Sequence, residues 1–124
     1  MMQVPDWAGY LRFRQGFADI LDERFYTVDW LESRILNGQL VVIANDDAAV
    51  LVEINVYPTG ARELHGMAAT GNMKAIVEQL IPQAEKWGRE RGCMTAKIES
   101  REGWAKVLKP AGYSIYQTAL KKEL

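Results

Sequence analysis

Glu63, His65 and Met67 occupy every second position of the run from Ala61 to about Ala69. In an extended chain that spacing puts the three side chains on one face. His65 is the chain's only histidine, and an imidazole changes charge near neutral pH, so it can take up or return a proton. Glu63 and His65 are therefore the candidate catalytic base. The same two residues also fit a surface ion pair on a half-exposed strand. Lys97 and Glu99 alternate in the same way on a later strand, either lining a site or forming a cross-strand ion pair. Glu53 and Asn55 on the middle strand carry the same two readings.

A second group of polar residues follows at Thr70-Gly71-Asn72-Met73-Lys74-Ala75. A turn of small residues entering a helix offers backbone amides to an anion, and Lys74 adds a positive charge. Capping alone also accounts for this stretch, with Thr70 or Asn72 as the N-cap and Lys74 a solvated first-turn side chain. Cys93 is the only cysteine, so no intrachain disulfide forms and a reducing, cytoplasmic setting fits. No metal-ligand spacing surrounds it, and it reads as a small buried hydrophobe.

The elements that must position these groups follow from pattern. Pro5 and Asp6 open a first helix along which Trp7, Leu11, Phe17, Ile20 and Leu21 recur at near-helical spacing. Its four aromatics, Trp7, Tyr10, Phe13 and Phe17, exceed what one core face needs and mark a surface for a partner or for self-association. Thr27 caps a second helix that ends at Asn37-Gly38. Three strands follow, Gln39 to Ala44, Ala48 to Tyr57 and Ala61 to about Ala69, as an antiparallel meander. A long helix runs from about Asn72 to Arg91 with Met73, Ile76, Val77, Leu80, Ala84 and Trp87 as its buried stripe and a kink at Pro82. Met94 to Glu99 is the next strand, Gly103 to Lys109 a short helix, and Tyr113 to Leu120 the last strand. The predicted class is α/β (α+β), one domain over residues 1–124, in the order α-α-β-β-β-α-β-α-β. The strand-helix-strand step puts one parallel pair into a mostly antiparallel twisted sheet flanked by helices.

That order resembles the GNAT superfamily of acyl-CoA-dependent N-acetyltransferases over nearly the whole chain. Ala84-Glu85-Lys86-Trp87-Gly88-Arg89-Glu90-Arg91-Gly92-Cys93 is similar to the end of that family's central helix entering its fifth strand. Ala111-Gly112-Tyr113 is similar to the Gly-aromatic pair after its last helix. The family's first strand has only Met1 to Val4 to match it. The resemblance implies acetyl-CoA or CoA as cofactor, bound by an R/Q-x-x-G-x-G/A loop at the start of the central helix. Asn72-Met73-Lys74-Ala75-Ile76-Val77 occupies that place, with Asn72 for Arg or Gln, Ala75 for glycine and Val77 for the final small residue. The cofactor set implied is Met67, Thr70, Gly71, Asn72, Met73, Lys74, Ala75 and Val77. The family's thiolate-protonating Tyr is matched by Leu108, which has no proton to give, and its Asn by Arg101. Trp104 stands where the family has a small residue, and with Glu99-Ser100-Arg101-Glu102 it reads as a recognition surface or a cover for the sheet edge.

Composition narrows the partners. Net charge is −1, from 15 basic and 16 acidic residues, which gives a nucleic acid no general attraction. No apolar run approaches the ~20 residues of a membrane span, and the N-terminus lacks the basic and apolar regions of a signal peptide. Two functions follow. One is an acetyl-CoA-dependent N-acetyltransferase acting on a small-molecule or protein amine without a metal, its activity weakened or lost. The alternative is a catalytically silent GNAT-fold binding or assembly protein, similar to virion or prophage components of tailed phages, working in host cytoplasm or virion.

Overall fold

The computed structural model describes residues 5–100 and 103–124. The expected strand at Met1 to Val4 and the residues Arg101 and Glu102 lie outside them.

A four-stranded sheet in the order β1-β2-β3-β4 separates two layers of helices. The strands are β1 (Val41–Ala44), β2 (Ala48–Val56), β3 (Arg62–Gly71) and β4 (Cys93–Ile98). β1, β2 and β3 pair antiparallel, and β3 pairs with β4 in parallel. β2 is buried on both faces from Ala48 to Val52, because each face meets its own helical layer. On one side, Ala49 and Leu51 pack with Tyr10, Phe17, Leu31 and Ile35. On the other, Ala48, Val50 and Val52 pack with Ile76, Leu80, Ile81 and Ala84.

The first layer holds α1 (Trp7–Arg12), α2 (Arg14–Ile20) and α3 (Val28–Leu36). Asp6 caps α1 by accepting the Gly9 amide at 3.0 Å, and Thr27 caps α3 by accepting that of Trp30 at 3.1 Å. The single first helix expected from the sequence is two helices hinged at Phe13, whose amide donates to Tyr10 O at 2.9 Å in a tightened turn. The hinge lets Tyr10 and Phe17, both 0% exposed, enter one core with their rings 5.9 Å apart. Trp7 and Phe13 are half-buried against the same core. The four aromatics expected to exceed one core face are therefore turned inward, while Leu11 and Ile20 of the same segment stay 49% and 47% exposed. The exposed aromatics of this half are Phe25, Tyr26 and Trp30.

The second layer is one long helical run. It comprises α4 (Met73–Ala75), a π turn (Ile76–Leu80) and α5 (Ile81–Glu90), and it ends at Gly92 with φ +82°. The kink expected at Pro82 is taken up by the π turn, which puts the proline at the second position of α5. A wider turn just before the ring accommodates the hydrogen bond that proline cannot make. Met73, expected in the buried stripe, is 45% exposed, while Ala75 and Ile76 carry the burial. α6 (Gly103–Leu108) and a 3-10 turn (Lys109–Ala111) follow.

The last expected strand does not form: residues 113–124 have no ladder partner. Ile115, Tyr116 and Leu120 are 74%, 79% and 93% exposed. Apolar residues at 115 and 116 fall on opposite faces of an extended chain, so neither face gains enough by docking to hold a strand. Only Tyr113 turns inward, after Gly112 closes the 3-10 turn at φ +94°. The tail is tied to the α2–α3 loop by Glu123, which accepts from both Nη atoms of Arg24 at 2.6 and 2.8 Å.

Gly71 joins β3 to the long helix at φ +110°, and a Cβ there would stand 2.5 Å from Asp47 O and 2.6 Å from the Ala48 Cα. Gly71→Ala is expected to destabilise the domain by about 1–3 kcal/mol, read as a lower urea midpoint at unchanged slope.

Candidate functional site

Parallel pairing of β3 and β4 begins at Arg62–Cys93 and stops at Gly66–Ile98. Beyond it β3 runs on to Gly71 against β2, while β4 has ended. The two strands thus part, and the backbone groups of β3 past Gly66 face no strand on that side. A cavity of about 330 Å³ occupies the gap, within the range of small-ligand sites. Ala68, Ala69, Ile76, Ala84 and Ile98 give it apolar walls, and Lys97, Glu99 and Ser100 form its polar edge. Met67 lines it too, as do Trp104 and Tyr113. Trp104 is half-buried against the core, so it covers this end of the sheet.

A β-bulge shapes the opening. Val52 faces Gly66 and Leu51 faces Ala68, which leaves Met67 as the extra residue. Met67 packs on the side of the sheet that carries His65, and the alternation breaks after it, where Ala68 joins the same cluster; the bulge turns β3 where it leaves β4.

Glu63 and His65 keep a common face but have different surroundings. Glu63 accepts from Tyr57 Oη at 2.6 Å and from Thr95 Oγ1 at 2.8 Å, and Lys97 Nζ lies 3.8 Å away. The Tyr57 hydrogen bond holds the Glu63 carboxyl below its ordinary value of 4.5 against the opposing effect of burial, with Thr95 and Lys97 adding to the hold. Both oxygens are taken, and Glu63 does not line the cavity.

His65 is directly opposite Glu53 in the β2–β3 ladder, and its Nδ1 is 2.8 Å from Glu53 Oε1. The other oxygen of Glu53 accepts from Arg34 Nη2 at 2.7 Å. His65 Nε2 is sealed from solvent, makes no hydrogen bond and lies 3.5 Å from Glu99 Oε1. Glu99 also reaches Lys97 Nζ at 3.4 Å. Lys97 and Glu99 therefore meet both expectations, as an ion pair and as part of the lining. Arg34 was not singled out by spacing. Its one signal is its place three residues after the buried Leu31 on α3.

The start of the long helix is partly occupied. The Asn72 amide donates to Asp47 O at 2.9 Å, and the Asn72 side chain caps the helix by accepting the Ala75 amide at 2.9 Å. Thr70 and Gly71, expected in a flexible turn, belong to β3, and Thr70 packs close to Gly16 of α2. Of the first-turn amides, those of Met73 and Lys74 have no residue within the helix to pair with. Lys74 is exposed beside them, and Val77 leans on the core cluster. The structure thus brings Thr70, Gly71, Asn72, Met73 and Lys74 together at one helix end, with Met67 separate on the cavity wall. Cys93 is half-buried, and burial raises its thiol above the ordinary 9.0. Among the described residues no cluster of His, Cys, Asp and Glu could hold a metal ion, and no helix is long and apolar enough to cross a membrane.

No family model and no curated protein matches the sequence. Solved structures match the whole fold. An acetyltransferase from Trypanosoma brucei superposes with a TM-score of 0.67 at 12% identity, covering 96% of this chain and 93% of its own. A transcriptional regulator from Bacillus halodurans gives 0.69 at 16% identity, covering 98% and 97%. Glucosamine-6-phosphate N-acetyltransferase from Arabidopsis thaliana gives 0.64 at 13% identity, covering 98% and 93%. At these identities the likeness is one of fold, and with its helices, its parallel pair and its parted strands the chain carries the GNAT acetyltransferase fold.

Proposed function

We propose that this chain is an acyl-CoA-dependent N-acyltransferase that takes acetyl-CoA as donor and a small-molecule or protein amine as acceptor. The observation that carries the reading is the apolar cavity in the gap between β3 and β4, with Glu99 on its polar edge and His65 Nε2 3.5 Å behind that carboxylate. Acetyl-CoA, when bound, supplies a thioester whose carbonyl carbon accepts the amine nitrogen and whose sulfur leaves, taking up a proton as the free thiol. The unpaired edge of β3 past Gly66 suits an extended, amide-bearing arm, which needs backbone partners in an apolar gap. The helix start retains the Met73 and Lys74 amides and the Lys74 ammonium for phosphate oxygens, a smaller set than an uncapped loop would offer.

On the acceptor side the work falls to His65 rather than Glu63. An amine attacks only after its ammonium gives up a proton. Glu99 stands at the cavity edge, 69% exposed and 3.5 Å from His65 Nε2, so the proton passes from ammonium to Glu99 and on to the imidazole. Glu63, pinned by Tyr57 and Thr95, braces the strands. Leu108 is buried where the family has its proton donor. Tyr113 does not replace it: burial, then its 2.7 Å hydrogen bond to Glu85, pushes its hydroxyl far up and directs it away. The nitrogen's second proton therefore reaches the leaving sulfur through solvent, which predicts a slow enzyme. The half-buried lone cysteine agrees with action in the cytoplasm.

Calorimetric titration with CoA and acetyl-CoA is the direct test. A working site gives saturable binding and a melting temperature that climbs with ligand, by about 2.7 kcal/mol of stability at a hundredfold excess over Kd. No binding at millimolar ligand would reject the enzyme and leave the silent GNAT-fold binding or assembly protein. For Glu63 the expectation concerns stability. Its depressed carboxyl contributes above the ordinary 4.5 and loses that contribution as pH falls through the folded value. The difference in unfolding free energy between the parent and Glu63→Gln should be largest above about pH 5 and shrink toward pH 3, measured by thermal melts across that range.

A further inference from the structure

The pair Arg34–Glu53 sits outside the cavity, beside His65 Nδ1, while His65 Nε2 is turned toward Glu99 at the cavity edge. We infer that Glu53, braced by Arg34, is a positioning residue that fixes the His65 tautomer with Nδ1 protonated and Nε2 bare toward Glu99. This rests on the acyltransferase reading for its purpose, though its geometry stands independently.

An ionised carboxylate can only accept hydrogen bonds. Glu53 Oε1 is 2.8 Å from Nδ1, so that nitrogen must carry the hydrogen. A neutral imidazole then has its lone pair on Nε2. Arg34 Nη2, donating to the other oxygen of Glu53 at 2.7 Å, stops the carboxylate rotating. Backbone geometry fixes the rest. Glu53 and His65 are cross-strand partners, and Arg34 comes from the last turn of α3 over the same face. The charged groups around the imidazole come from every neighbouring element: Glu53 on β2, Glu63 on its own strand, Lys97 on β4, Glu99 just after it, and Arg34 behind Glu53.

What points to function is where the unsatisfied Nε2 lies, 3.5 Å from Glu99 Oε1. A sealed nitrogen without a hydrogen bond costs stability, a state that His65 Nε2 shares with Arg34 Nε. The histidine nitrogen faces the carboxylate that forms the cavity edge, where it can accept a proton. His65 lies between the carboxylates of Glu53 and Glu99, so a proton taken up at Nε2 has Glu99 Oε1 3.5 Å away.

The sole histidine makes the test clean, because ¹⁵N-labelled imidazole gives one pair of ring signals. Spectra at about pH 8.5, where an ordinary imidazole is neutral, should show the parent protein with Nδ1 protonated and Nε2 bare. Glu53→Gln should shift the ratio of tautomers toward Nε2–H by about tenfold, the scale of one charge-assisted hydrogen bond. Arg34→Gln should shift it the same way by less. An unchanged ratio in Glu53→Gln, or Nε2–H dominant in the parent, overturns the inference. Should Glu53→Gln unfold, the double variant Arg34→Gln/Glu53→Gln, neutral on both sides, gives the same readout. CoA titration of the parent keeps the two ideas apart: absent binding rejects the acyltransferase, and an unmoved tautomer rejects the positioning role.

Discussion

The parallel ladder between β3 and β4 is short, and its ending at Gly66–Ile98 is the constraint on which the site depends. A parallel pair needs a crossover, and the helical run from Met73 to Glu90 supplies it on one face of the sheet. Because the run leaves from the end of β3 and returns to the start of β4, it must cross above both strands. It therefore roofs the place where they part, and a cavity with apolar walls is the result. A longer ladder would have sealed the gap with backbone hydrogen bonds and left no opening.

The two faces of the sheet then divide the labour. The face under the long helix is almost wholly apolar and forms the cavity walls. The opposite face is apolar under α1, α2 and α3 but turns polar toward the far end of β2, where Arg34, Glu53, His65, Glu63 and Lys97 meet. In a half-buried setting these charges are stable only as partners of one another. Ile20, 47% exposed on the first layer, reaches the same cavity from the polar side, so both layers contribute to one opening.

The fold was legible where period and punctuation agree. Asp6, Thr27, Gly38 and Gly92 marked helix ends because each does a job that few residue types can do. The meander and the strand-helix-strand step followed from a change of period. Spacing misleads where tertiary contact overrules it. The bulge at Met67 and the hinge at Phe13 each shift register by local geometry that no periodicity announces. Residues 113–120 look like a strand by composition, but a strand needs a partner edge and a face to bury. At the site, Glu63 and His65 were visible as a pair of titratable groups. What separates their roles, Tyr57 and Thr95 on one and Glu53 with Arg34 on the other, depends on cross-strand register and on a helix distant in sequence.

The π turn at Ile76–Leu80 has an effect on more than the proline after it. In an uninterrupted α-helix, residues five apart, such as Ile76 and Ile81, point about 140° apart around the axis. Here both are buried in the same cluster, at 2% and 8% exposure. The extra residue in the wide turn acts as a phase correction between two half-helices. Without it, either the half over the strand gap or the half over Leu64 would rotate its apolar side into water. The roof of the cavity is thus made continuous by one surplus residue, and the amino-acid pattern of this helix is best read as two separate periodic segments joined out of step.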